Sequence, residues 1–191
     1  MRSEQAEIIQ RARAGDLEAC RRIHECYAGR ILNFIYKMVD SREDAEDLTQ
    51  DVFLRAFHEL KNLVNADRFE SWLYRIARNE IYQQFRKKRP ERELRELPAH
   101  SEEDGVFDPA DTKPTPQDLI LRAELGTTIR SVLQSLPPKS REVFILAVIY
   151  EKSYAEITEI VGRSLLSVKT DIFRARQQAR KTLGKYLEAQ K

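Results

Sequence analysis

What this 191-residue chain has little of narrows its class before any motif is read. Glycine is scarce, at 6 residues, and proline modest, at 7, which disfavours a turn-rich β architecture and favours long helices. Only two cysteines occur, Cys20 and Cys26, too few for a secreted disulfide framework. No run of about 18 apolar residues is present, so no membrane insertion is expected. The start, MRSEQAEIIQRARAGD, is polar and amphipathic and has no signal-peptide core, so the expectation is a cytoplasmic protein. An excess of one charge is missing too. The net charge is only +2, so any nucleic-acid partner must be read from how charge is distributed. Alternating strand patterns and internal repeats are also lacking.

What remains is helical. A short helix near 3–14 stops at Gly15, and Asp16 is placed to cap the next, which runs to about Val39. Cys20, His24 and Cys26 lie on that second helix. Cys26 sits about 240° round from Cys20, so one helix cannot turn all three toward a single ion. No metal and no cofactor are expected. Ser41 is the next cap candidate. In the helix it opens, Ala45, Leu48, Val52, Ala56 and Leu60 form a buried stripe, with Asp44, Asp47, Asp51 and Arg55 opposite.

The segment 69–89 is predicted to place Phe69, Leu73, Ile76, Ala77 and Glu80 on one face and to end at Pro90. Ser71, Arg75, Arg78, Asn79, Tyr82 and Arg86 share the other, with Trp72 at the border. A basic face with interleaved aromatics suits single-stranded nucleic acid, because bases stack on rings while cations follow the backbone. Trp72 and Tyr82 as ordinary core residues, with the arginines in solvent, is the competing reading. From Glu91 to about Gln117, acidic residues and prolines cluster with little to build a core, which reads as a flexible acidic linker. Beyond it, Leu121, Leu125, Ile129, Val132 and Leu136 are expected inward. Pro138 opens a short apolar helix over KSREVFILAVIYE.

The most informative stretch runs from Ser153 to Lys181: a helix, a turn at Gly162 and a second, basic helix. That is the layout of a helix-turn-helix, which lays its second helix in the major groove of DNA. Val168, Ile172, Ala175, Ala179 and Leu183 form the packing stripe. Arg163, Leu166, Ser167, Thr170, Phe173, Arg174, Gln177 and Lys181 face away. Ser164 can cap the helix. Ser, Thr and Arg side chains can reach base edges, while Lys169, Arg176 and Arg180 are placed for phosphates. A helical hairpin with a solvated charged face is the plainer alternative.

Four segments together, DAEDLTQDVFLRAF (44–57), FESWLYRIARNEIYQQFRKK (69–88), LPPKSREVF (136–144) and the helix-turn-helix, resemble the extracytoplasmic-function (ECF) sigma factors of the bacterial sigma-70 family. They occur in the family's order and span nearly the full length. The resemblance implies an all-α fold of two small helical domains joined by a flexible acidic linker. A region 2-like domain would cover 1–92, the linker 93–117 and a region 4-like helix-turn-helix domain 118–191. It implies a factor that binds core RNA polymerase, recognises the −10 and −35 elements of promoter DNA and helps melt them. Asp47, Gln50 and Asp51 are then the candidates for docking on polymerase. Trp72, Arg75, Arg78, Asn79, Tyr82 and Arg86 would read and open −10, with Asn79 at the family's pocket for a flipped base. Arg163, Ser164, Ser167, Lys169, Thr170, Arg174, Arg176, Gln177 and Lys181 would contact −35.

The family has no catalytic residues and no small-molecule substrate, and an anti-sigma factor commonly holds it in check. This chain departs from the family pattern at Leu166, Asp171 and Phe173, where Gly, Arg and often His are usual, and at Thr158, where Ala is usual. Asp171 reads as a carboxylate at the edge of the groove-facing surface, able to accept from a cytosine amino group. A stand-alone helix-turn-helix regulator is the alternative function, but it leaves the 69–89 face and the acidic docking helix without a role.

Overall fold

A computed structural model of the protein describes residues 2–92 and 116–189. Of the linker expected over 93–117, residues 93–115 lie outside the described residues, and 116 and 117 belong to a helix.

The first group of helices follows its capping signals. Helix α1 (Arg2–Arg13) ends before Gly15, which adopts φ 89°, a left-handed conformation that only glycine takes without strain. The Asp16 carboxylate then accepts the N–H groups of Glu18 and Ala19 at 2.9 and 3.2 Å and starts α2 (Leu17–Val39). Asp40 closes α2 in the left-handed region, its N–H bonded to the Tyr36 carbonyl. Ser41 caps α3 (Arg42–Glu59). Two tight turns, Leu60–Asn62 and Ala66–Arg68, lead into α4 (Phe69–Arg92). This helix passes the stop expected at Pro90. A proline there forfeits one backbone hydrogen bond but does not stop the helix, which is described through Arg92.

The second group opens with α5 (Pro116–Ser135) and α6 (Pro138–Phe144). Ile145–Ile149 then winds as a wider π turn. Helix α7 (Tyr154–Val161) begins with a reciprocal cap: Ser153 Oγ accepts the Glu156 N–H while the Glu156 carboxylate accepts the Ser153 N–H. Gly162, at φ 64°, makes the turn into α8 (Leu165–Ala189), whose cap is Ser164 Oγ on the Ser167 N–H.

The predicted stripe of α3 is wholly buried, as are Phe69, Leu73, Ile76 and Ala77 of α4. Two expected core positions are outside: Ile129 and Leu183 are exposed. In α5 the inward face is centred on Val132, with Thr128, Leu133 and Leu136, which rotates Ile129 to solvent. The side chains of Leu121 and Leu125 lie outside those described.

The two groups are packed against each other, and their apolar residues form one continuous core. Helix α7 lies along α4, and α5 and α6 reach α2. Tyr150 inserts its ring against Phe34 and Tyr74, with centroids 6.2 and 5.4 Å away, and donates its hydroxyl to the Arg30 carbonyl. Arg141 is buried and donates to the Met38 carbonyl at 2.8 Å, and Arg130 pairs with Asp40. Lys152–Glu70 at 2.9 Å and Arg68–Glu159 at 3.1 Å add ion pairs at the rim. This packing corrects the predicted outer face of α4. Ser71 is buried, and Arg78 and Tyr82 point toward α6 rather than solvent.

Candidate nucleic-acid interface

The candidate −10 residues divide into two sets. Arg75, Asn79 and Arg86 are exposed on α4. Trp72 is half-buried, its ring 5.8 Å from that of Phe69, which holds the indole in place from below. Asn79 and Arg86 open onto a cleft of about 420 Å³ that Arg55, Arg78, Tyr82 and Lys139 also line. Lys139 comes from α6, so the cleft is shared by the two groups of helices. Arg55 is held at its floor by Glu59 and Glu80, and the guanidinium of Arg78 lies over the Tyr82 ring at 4.8 Å. Four cations, an amide and a tyrosine in one cleft suit an anionic, ring-bearing ligand.

Arg78 and Tyr82 meet a residue that sequence reasoning passed over. Glu142 of α6 is 0% exposed. Tyr82 donates its hydroxyl to Glu142 Oε2 at 3.1 Å, Arg78 Nε lies 2.7 Å from Oε1 and Arg163 Nη2 lies 3.7 Å from Oε2. Burial raises the Glu142 carboxyl above the ordinary range, and the two guanidiniums pull it partly back. The Arg78 contact is ionic but poorly aimed: neither Arg78 Nε nor Glu142 Oε1 makes a directed hydrogen bond. One buried carboxylate thus holds two candidate −10 residues and one candidate −35 residue in an incompletely satisfied network. The signal was present in the sequence as a lone acid at the head of the most apolar run, VFILAVI.

On the helix-turn-helix, Lys169, Arg174, Arg176, Gln177 and Lys181 are exposed along α8, with Ser167 and Thr170 partly so. Arg163 is not free. Besides Glu142 it pairs with Asp171 and donates to the Lys139 carbonyl. That pairing also corrects the reading of Asp171 as a base contact, since its carboxylate is half-buried and committed to Arg163. Ser164 is exposed and spends its hydroxyl on the helix cap. Thr158 bonds back to the Ala155 carbonyl at 2.6 Å, as expected of a hydroxyl in a helix.

Asp47, Gln50 and Asp51 are exposed together on α3, beside the exposed Leu54, and none pairs with another described residue. Positions 47, 50, 51 and 54 share one helical face. His24 packs its ring on Phe53 at 4.6 Å, and Cys26 is exposed. Among the described residues no cluster of His, Cys, Asp or Glu could hold a metal ion, and no helix is long and apolar enough to cross a membrane.

Comparison with known proteins decides between a lone regulator and a polymerase factor. The family described as Sigma-70 region 2 matches residues 23–91, and Sigma-70, region 4 matches residues 127–178. The chain is 34% identical over 184 residues to the ECF RNA polymerase sigma factor SigW of Bacillus subtilis, covering 92% of this chain and 94% of that one. The chain belongs to the ECF sigma factors of the sigma-70 family.

The fold agrees. CnrH, solved in complex with the cytosolic domain of CnrY, superposes with a TM-score of 0.68 at 23% identity, over 95% of this chain and 97% of CnrH. The sigma factor RpoE of Bartonella quintana, solved with the anti-sigma factor NepR, gives 0.67 at 22% identity, over 86% and 96%. Within this ECF factor, the region 2 match ends just before 92 and takes in α4, and the region 4 match covers the helix-turn-helix as far as residue 178. Apart from Lys181, the candidate DNA-contacting residues therefore fall inside matched regions. A stand-alone regulator is not favoured, because it would have no use for region 2.

Proposed function

We propose that the protein directs core RNA polymerase to promoters by two separate grips. In this reading, Asp47, Gln50 and Asp51 dock on polymerase. Trp72, Arg75, Arg78, Asn79, Tyr82 and Arg86 take hold of the −10 strand and help to separate it from its partner. Ser167, Lys169, Thr170, Arg174, Arg176, Gln177 and Lys181 engage −35, with Arg163 at the turn beside them, and Ser164 holding the helix start in place. Domain limits of 1–92 and 118–191 follow from the same reading. The protein supplies binding energy and strand separation while polymerase performs the chemistry, so it is not itself an enzyme, and it works in the bacterial cytoplasm.

The observation that carries this reading is the presence of two distinct cationic surfaces, the Asn79 cleft and the open face of α8, in a chain that matches both sigma-70 regions. Packed as described, the Asn79 surface is partly committed to Glu142. Promoter engagement then requires α6 to leave α4, which frees Arg78 and Tyr82, while Arg163 keeps its partners Glu142 and Asp171 within the second group. An anti-sigma factor that favours the packed form would silence the −10 grip. Support comes from the fold shared with RpoE, a sigma factor solved with NepR.

Run-off transcription with core polymerase, with and without the protein, tests the reading. Promoter-specific transcripts are expected only when both are present. Tight promoter binding by the protein without polymerase would contradict it. Replacing Asp47 and Asp51 with Ala is expected to weaken holoenzyme assembly while leaving the fold intact.

A further inference from the structure

The reading face of α8 is not what a purely polar DNA contact would look like. At about 100° per residue, Leu166, Thr170, Phe173 and Gln177 fall within about 60° of one another. That stripe lies opposite the buried Val168, Ile172, Ala175 and Ala179. Leu166 is 76% exposed and Phe173 62%, large values for side chains of their size in a folded domain. Between them, Thr170 donates its hydroxyl to the Leu166 carbonyl at 2.8 Å, so its donor is already spent.

The flanks are cationic on both sides. Lys169 and Arg176 lie to one side of the stripe and Arg174 and Lys181 to the other, each roughly 50–90° from its centre. All four are exposed. The one acid in reach, Asp171, is neutralised by Arg163. A helix in a major groove meets base edges along its midline and a phosphate strand on each side. This arrangement, apolar in the middle and cationic at both margins, matches that environment. A protein partner would have to leave four cations beside an apolar ridge.

We propose that Leu166 and Phe173, with Thr170 between them, read thymine C5-methyl groups in the −35 element. The major groove presents only one apolar feature, the thymine methyl, and apolar side chains discriminate bases through it. Leu166 and Phe173 are seven residues apart, about 10 Å along the helix, or about three base-pair steps at 3.4 Å each. The −35 element of this protein therefore carries A·T pairs at two positions about three base pairs apart, each with its methyl toward α8. The proposal rests on the reading of α8 as the −35 helix and specifies what that helix selects.

The test uses the full-length protein in holoenzyme and a pool of promoter duplexes randomised across the −35 region. Selected sequences are expected to converge on thymine, on either strand, at two such positions. Each selected thymine is then replaced by deoxyuridine, which removes the methyl and nothing else. Binding is expected to weaken about fourfold per methyl lost, the worth of one buried carbon. Leu166→Ala should erase that penalty at one position and leave it at the other, with Phe173→Ala doing the reverse. Both residues are exposed, so both variants keep the fold. Wild-type holoenzyme that converges on a −35 sequence but ignores the deoxyuridine change overturns the methyl reading while sparing the −35 assignment. A penalty that persists in both variants also overturns it. Selection without any −35 preference, unaffected by Arg174→Ala, overturns the assignment of α8 itself and leaves the stripe to a protein partner.

Discussion

The two candidate DNA surfaces of this ECF sigma factor differ in what already occupies them. Along α8, the cations and the Leu166–Phe173 stripe are exposed; Arg163 at the turn is held by carboxylates, and Lys169 lies over the Tyr154 ring at 5.9 Å. On α4, Arg78 and Tyr82 are tied to a carboxylate of the other group of helices, and Ser71 and Tyr74 are buried beneath it. One surface is preformed, the other conditional. In the proposed reading, the preformed face can meet duplex DNA as it is. The conditional face is complete only after the two groups part, which withholds Arg78 and Tyr82 until then. Glu142 is where the two states differ most, because it belongs to neither grip and holds residues of both.

Removing that carboxylate breaks the comparison most severely. Glu142→Ala leaves the Arg78 and Arg163 guanidiniums with a vacated partner and is expected to cost the packed form about 3–5 kcal/mol. A rise in the radius of gyration by small-angle scattering, with helix content unchanged, checks it. The isostere Glu142→Gln should open the packing less. Compact Glu142→Ala protein would show that the apolar contacts around Tyr150 hold the halves alone.

Next in size is the strand grip. Asn79→Ala and Trp72→Ala are expected to slow promoter opening in the holoenzyme by the worth of one base contact, about 1–3 kcal/mol each. Permanganate reactivity of −10 thymines measures it, and core binding should be unaltered. Because Trp72 packs on Phe69, its variant is read beside a melting curve. On the preformed side, Arg174→Ala is expected to weaken −35 binding by about 1–3 kcal/mol if it grips a base edge in both hydrogen bonds. A uniform loss across sequences would move Arg174 to the phosphate contacts instead. The smallest effect belongs to the scaffold. Ser153→Ala removes one half of the α7 cap and should lower stability by about 0.5–2 kcal/mol, seen as a lower melting temperature with −35 preference retained.

Much of this was legible locally. Asp16, Ser41, Ser153 and Gly162 announce helix starts and stops through short-range chemistry, and each does what its position predicts. The exposure of Arg75, Asn79 and Arg86 follows from helical periodicity alone. The misses share one cause. Ser71, Arg78 and Tyr82 face outward with respect to their own four helices, and only contact with a segment some sixty residues later turns that side into an interface. Periodicity reports which face of a helix is polar. It does not report that a polar face meets a complementary polar residue elsewhere. Asp171 was misread for the same reason, since its partner Arg163 sits across the turn, where helical spacing gives no guidance.

The central claim is that the two groups of helices are packed in the free protein and separate when the holoenzyme opens a promoter. A pair of spin labels measures this directly. One goes on the exposed native Cys26, the other on the exposed position of Gln178→Cys, with the half-buried Cys20 replaced by Ser. Pulsed electron–electron resonance is expected to give one short, narrow distance for the free protein and a longer one in the promoter-open holoenzyme. The same short distance in both, with the −10 region melted, would contradict the account.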